Sequence, residues 1–210
     1  MYTLYYSPGA CSMAPHVLLN ELGVKYEAKK VDLMAGEGQK PEFLKINPRG
    51  QVPVLVDDGQ VIREGAAILI HLMEKHSSPL LPKSGKERAT ALEWLMFGNA
   101  SLHPAYGRAM FLKKNADKAA QEQLFKIVFQ QINKLWAEAD QRLANNPYLC
   151  GKSITAADIL VTVIANWGAW FPEGSVTLGS NVKRLIKEIS SRPSYKKALA
   201  DEQVEYKAAA

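Results

Sequence analysis

The chain contains no apolar run approaching the ~20 residues that a bilayer-crossing helix needs. Its first residues, Met1-Tyr2-Thr3-Leu4-Tyr5-Tyr6, have neither the basic start nor the long apolar stretch of a secretory leader. Together these gaps lead us to expect a cytoplasmic protein with no membrane partner. Cysteine is scarce, with only Cys11 and Cys150. Two cysteines in a reducing compartment rarely form a structural disulfide, and their spacing does not resemble a zinc site, so no metal is expected. A concentrated charge of one sign is also missing. The net charge is +5, and the pairs Lys29-Lys30, Lys113-Lys114 and Lys196-Lys197 stand apart from one another. A nucleic-acid groove needs a basic stripe, so no nucleic-acid partner is expected. A mild positive field can still draw in small anions. There are no internal repeats.

What is present divides into two compositions. Thr3 to Tyr6 reads as a strand that stops at Ser7-Pro8-Gly9. From Ser12 to Leu22 apolar residues recur at helical spacing, and Gly23 follows where a helix C-cap is expected. Lys25 to Asp32 alternates and reads as a second strand. A short helix near Pro41–Lys45 and a turn at Asn47-Pro48-Arg49-Gly50 come next. Val52 to Val56 is a strand, Asp57-Asp58-Gly59 is a hairpin signal, Val61 to Arg63 returns, and Ala66 to Glu74 is helical. The order is βαβ followed by ββα, a thioredoxin-like arrangement, so the expected fold is α/β plus all-α. Ser77-Ser78-Pro79-Leu80-Leu81-Pro82 interrupts the pattern. We therefore expect a first domain over 1–78, a linker over 79–85 and a helical bundle domain over 86–210. Its expected helices are 86–114, 117–144, 155–169, 181–190 and 194–200.

Three segments carry chemistry. Tyr6-Ser7-Pro8-Gly9-Ala10-Cys11-Ser12 ends a strand and opens a helix. Unpaired N–H groups and the helix dipole favour negative charge there, which lowers a cysteine pKa. Ser12 and nearby amides could donate to an external sulfur anion. In Asn47-Pro48-Arg49-Gly50-Gln51-Val52-Pro53-Val54-Leu55 a proline lies inside a β-like run. A cis Val52–Pro53 bond would leave the Val52 N–H and C=O free to pair with an extended peptide. An edge strand beginning in trans at Pro53 is the commoner solution. In Arg63-Glu64-Gly65-Ala66-Ala67-Ile68, helix-start amides could bind a carboxylate and Glu64 an ammonium. Each segment has a plainer reading: a packed cysteine, an edge strand, a first-turn acid.

The three segments, in this order and spacing, resemble the glutathione S-transferase family, and their wording is similar to its bacterial beta class. Thr155-Ala156-Ala157-Asp158 is similar to that family's capping box, with Thr155 and Asp158 in a structural role and Ile154 and Ile159 as a hydrophobic staple. The resemblance implies a thioredoxin-like domain that binds glutathione, a helical domain that supplies a hydrophobic substrate site, and usually a homodimer. Glutathione would be a co-substrate, with no permanently bound cofactor. Its contacts would be Cys11, Gln51, Val52, Pro53, Glu64, Gly65 and His103, and Pro53 would also be structural. Cys11, Ser12, Tyr6 and His103 would serve catalysis, although in the beta class the tyrosine at Tyr6 is not clearly the catalytic group. His16 would have a supporting role.

The implied activity is conjugation of glutathione to small hydrophobic electrophiles, as in detoxification, with thiol–disulfide exchange as a second activity. A disulfide reductase or dehalogenase acting through Cys11, and a non-catalytic glutathione-binding or stress-linked interaction protein, are the alternatives. Two departures from the class stand out. The lysine expected soon after the second strand, for the glycine carboxylate of glutathione, is absent, and Lys40 and Arg49 are both candidates to replace it. Met96 stands where an asparagine is expected. Cys150, flanked by apolar residues, is expected to be buried and inert. Trp167, Trp170 and Phe171 either line a pocket or belong to the core.

Overall fold

The computed structural model describes residues 1–209. In chain order its elements are β1 (Tyr2–Tyr6), α1 (Met13–Glu21), β2 (Tyr26–Lys30), α2 (Pro41–Leu44), β3 (Val54–Asp57), β4 (Gln60–Arg63), α3 (Gly65–Lys75), α4 (Gly85–Met96), α5 (His103–Asn115), α6 (Lys118–Ala144), α7 (Ala156–Ala165), α8 (Ser180–Ser190) and α9 (Pro193–Glu202). Two compact units result. The first holds Met1–Leu81 with Ser190–Tyr206, and the second holds Pro82–Ile189 with the described residues from Lys207 on. Helix α9 thus packs with the first unit, on α1. None of the described helices is long and apolar enough to cross a membrane.

The first unit is a four-stranded sheet in the order β2-β1-β3-β4. β1 runs parallel to β2 and antiparallel to β3, with Leu4 opposite Leu55 and Tyr5 opposite Val54. Alternate side chains along a strand face opposite ways. Leu4 and Leu55 are fully buried, as are Leu18 and Leu19 of α1 and Ile68, Leu69 and Leu72 of α3. The opposite face carries a smaller cluster of Val31, Phe43, Val52 and Val54, with Tyr5 and Ala10 against it. The β3–β4 hairpin closes through Asp58 (φ 46°) and Gly59 (φ 90°). Two successive positive φ values make the tight turn that Asp-Gly favours. Gly23, at φ 64°, ends α1 as its position in the sequence suggests.

The second unit is helical. The long helix expected over 86–114 is broken. Between α4 and α5, Phe97–Leu102 adopts π-helical turns. Gly98 lies there against α7, where a Cβ would meet Leu160 Cδ2 at 2.9 Å. Every residue of α7 is buried. Its capping box is formed, with the Thr155 N–H donating to an Asp158 carboxylate oxygen at 2.8 Å. The other Asp158 oxygen accepts from the Leu149 N–H at 2.9 Å. The helix expected over 155–169 gives way after Ala165 to a 3-10 turn over Asn166–Trp170.

Candidate functional site

β1 delivers the chain into the Ser7–Ser12 loop. Gly9 turns there with φ 69°, and the Ala10 N–H donates to the Ser7 carbonyl at 3.0 Å. The Gly9 N–H donates to a Glu202 carboxylate oxygen at 2.9 Å. The other oxygen of Glu202 lies 2.8 Å from His16 Nδ1. Both side chains are fully buried, so α9 and α1 together clamp the loop. His16 therefore does hold the loop from behind. Glu202 gave no sequence signal, because Asp201-Glu202-Gln203 reads as an ordinary polar helix end.

Cys11 is partly exposed. Its thiol donates to the Val52 carbonyl at an Sγ···O distance of 3.6 Å. Burial pushes the thiol up to about 12, with Glu64 and Glu202 adding to the rise and the amides of Cys11 and Ser12 opposing it. The lowered pKa expected from helix position does not hold in the resting protein, because desolvation outweighs the amides. Ser12 is also placed differently from expectation. It is fully buried, accepting from the Ser7 N–H at 3.1 Å and donating to the Ser7 carbonyl at 3.2 Å. Its hydroxyl shapes the loop from within.

The Val52–Pro53 bond is cis, and β3 begins at Val54, so Val52 stands outside the strand ladder. Gln51 is exposed, and its carbonyl accepts from Asn47 Nδ2 at 2.7 Å. Asn47 is buried and also accepts from the Arg49 N–H at 3.2 Å. Gly50 is tightly enclosed, since a Cβ there would lie 2.6 Å from the Gly38 carbonyl oxygen.

Glu64 precedes α3 with φ 71° and ψ 120°. Such a conformation costs a non-glycine residue about 1–3 kcal/mol and clusters at ligand-binding positions. Its carbonyl accepts from the Ile68 N–H at 3.0 Å, and its exposed carboxylate is paired with Arg49. The three motif segments therefore meet. Cys11 touches Val52, the Asn47–Gly50 turn touches Glu64, and Glu64 and Gly65 open α3 beside them.

Strand alternation turns Tyr6 toward α1, with its ring 5.4 Å from that of His16. It lines a cavity of about 640 Å³ with Tyr26, Lys25 and Asp201 rather than the Cys11 side. Burial, with Glu202 and Asp201, raises its hydroxyl above the ordinary tyrosine range. His103 begins α5 in the second unit, its ring 5.1 Å from that of Trp167. Trp167 and Phe171 are buried, and Trp170 stacks on Trp167 at 5.5 Å. Lys40 is paired with Glu37 at 2.8 Å. Cys150 is partly exposed instead of buried; its sulfur lies 3.1 Å from Thr155 Oγ1, and burial still pushes it up to about 11.

Residues 1–74 match the family model "Glutathione S-transferase, N-terminal domain", and residues 70–193 match "Glutathione S-transferase, C-terminal domain". The chain belongs to the glutathione S-transferase family. Glutathione S-transferase D7 of Drosophila melanogaster is 30% identical over 188 residues, covering 88% of this chain and 82% of that protein. Among solved structures, a glutathione S-transferase from Xylella fastidiosa superposes with a TM-score of 0.88 at 26% identity, covering 98% of this chain and all of that one. A sphingomonad glutathione S-transferase complexed with glutathione gives 0.81 at 29% identity, covering 97% of this chain and all of that one. The converging Cys11, Val52 and Glu64 segments all fall within the part that matches the glutathione S-transferase N-terminal domain.

Proposed function

We propose that this glutathione S-transferase is of the bacterial beta class and holds glutathione along the Cys11–Val52–Glu64 line, for conjugation to small hydrophobic electrophiles. The observation that carries this is the 3.6 Å contact between the Cys11 thiol and the Val52 carbonyl. A peptide that paired with Val52 as an added strand would bring its own cysteine beside Cys11. Glu64 would take the γ-glutamyl ammonium, and the first N–H groups of α3 would take its carboxylate.

In this arrangement Cys11 acts first as a donor. A thiol pushed up to about 12 stays protonated at neutral pH. Once the N–H of the incoming peptide takes the Val52 carbonyl, the released S–H can hydrogen-bond to the glutathione sulfur and favour that sulfur's ionised form. The glutathione thiol loses its proton to solvent, and the thiolate attacks the electrophilic carbon, forming the S–C bond as the electrophile's leaving group departs with its electron pair. Thiol–disulfide exchange is the secondary activity, since it needs Cys11 itself ionised. We place the protein in the cytoplasm as a homodimer serving detoxification.

Calorimetric titration with glutathione, followed by turnover with a panel of electrophiles and mixed disulfides, tests this reading. Glutathione uptake is expected in wild type, with conjugation reduced in Cys11→Ala. Absence of binding at millimolar glutathione would favour a non-catalytic protein.

A further inference from the structure

Arg49 and Glu64 come from different motif segments, yet their side chains are paired. Both are largely exposed, at 63% and 60%. A surface pair of this kind contributes little to stability, so it opens readily. The stems are held more firmly than the tips. Asn47 is buried and accepts from the Arg49 N–H, the enclosed Gly50 follows, and Glu64 is fixed by its left-handed backbone and its bond to Ile68. Two rigid stems thus present one cation and one anion side by side.

We propose that Arg49 and Glu64 are a two-point clamp for an α-amino acid zwitterion. The ligand's ammonium takes Glu64 from Arg49, and the freed guanidinium takes the ligand's α-carboxylate. The inference rests on the glutathione reading above and assigns Arg49 to the γ-glutamyl end. That assignment separates it from the glycine carboxylate, for which the sequence left Arg49 and Lys40 as equal candidates.

An α-amino acid carries its two charges on one carbon, matching a contacting guanidinium and carboxylate. Exchange leaves Glu64 and Arg49 with one ion pair each and turns one shared pair into two. The planar guanidinium fork suits a carboxylate better than an ammonium would, and the first-turn amides of α3 add to the same charge. A ligand lacking the α-carboxylate would still displace Arg49 from Glu64 and leave it with nothing in exchange. The pair therefore selects zwitterions over simple amines.

The test compares wild type and Arg49→Gln with two ligands, glutathione and γ-aminobutyryl-cysteinyl-glycine, which lacks the α-carboxylate. Calorimetry should show Arg49→Gln losing roughly tenfold in affinity for glutathione, while the analogue, freed of Arg49 as a competitor for Glu64, binds at least as tightly as to wild type. In turnover the variant should show a raised KM for glutathione and an unchanged kcat, since a contact far from the sulfur contributes equally to ground and transition states. Equal or tighter glutathione binding by Arg49→Gln would overturn the clamp and make Arg49 a mere competitor for Glu64. Equal losses for both ligands would overturn it too. A wild-type protein that takes up no glutathione overturns the underlying function as well, so the two failures are told apart.

Discussion

At Cys11 the local amides pull the thiol toward ionisation, while burial and the carboxylates of Glu64 and Glu202 push the other way, and burial prevails. The thiol then keeps its proton and donates a hydrogen bond to the Val52 carbonyl. This sets an order of events in which the resident cysteine is a donor before it is a nucleophile. It also predicts a pH profile. With Cys150 replaced by alanine to leave one thiol, alkylation by iodoacetamide should be slow through pH 8 and still rising at pH 9, because only the thiolate reacts. A rate that levels off below pH 8 would show that the helix-start amides win after all.

Among the elements, α7 carries a displaced carboxyl titration. Burial raises the Asp158 carboxyl from 3.8 to about 6, against its bonds from Leu149 and Thr155. Because the folded-state value is raised, the folded chain binds more protons than the unfolded chain between these two values. Stability from this group is full below pH 4 and is lost as pH rises through 6, by up to about 3 kcal/mol. Asp158→Asn removes the titration, so urea unfolding should show the wild-type advantage over that variant shrinking between pH 4 and pH 7. A constant gap would mean that Asp158 titrates normally. This box was legible in the sequence because Thr155 and Asp158 lie three residues apart. The succession of strands and helices and the Asp58-Gly59 turn were legible for the same local reason, whereas the cis Val52–Pro53 bond was one of two readings the residues left open. The break at Phe97–Leu102 was not, because it occurs where Gly98 meets Leu160 from a distant helix. The direction of the Cys11 shift was hidden too, since a helix start can be read locally and desolvation cannot.

For the whole chain, the decisive fact is that the first unit is discontinuous. It takes Ser190–Tyr206 as well as Met1–Leu81. Arg192 and Ser194 pair with Glu21, and Glu202 holds both His16 and Gly9. Glu202→Gln should therefore loosen the loop ahead of Cys11 although it lies 193 residues from Gly9. Hydrogen exchange should quicken over residues 7–12 in that variant, with residues 118–144 of the second unit unaffected; unchanged exchange at residues 7–12 would remove Glu202 from the loop's support.

That same contact ties the timing of assembly to synthesis. As the chain leaves the ribosome, residues 1–81 are exposed first, with their buried loop still short of its carboxylate. The thiol corner acquires its final shape only when residue 202 has been made. Domains that are contiguous in sequence can finish in order of synthesis. Here the segment made first waits for residues made much later, so a ribosome stalled short of residue 202 would carry an unfinished thiol site.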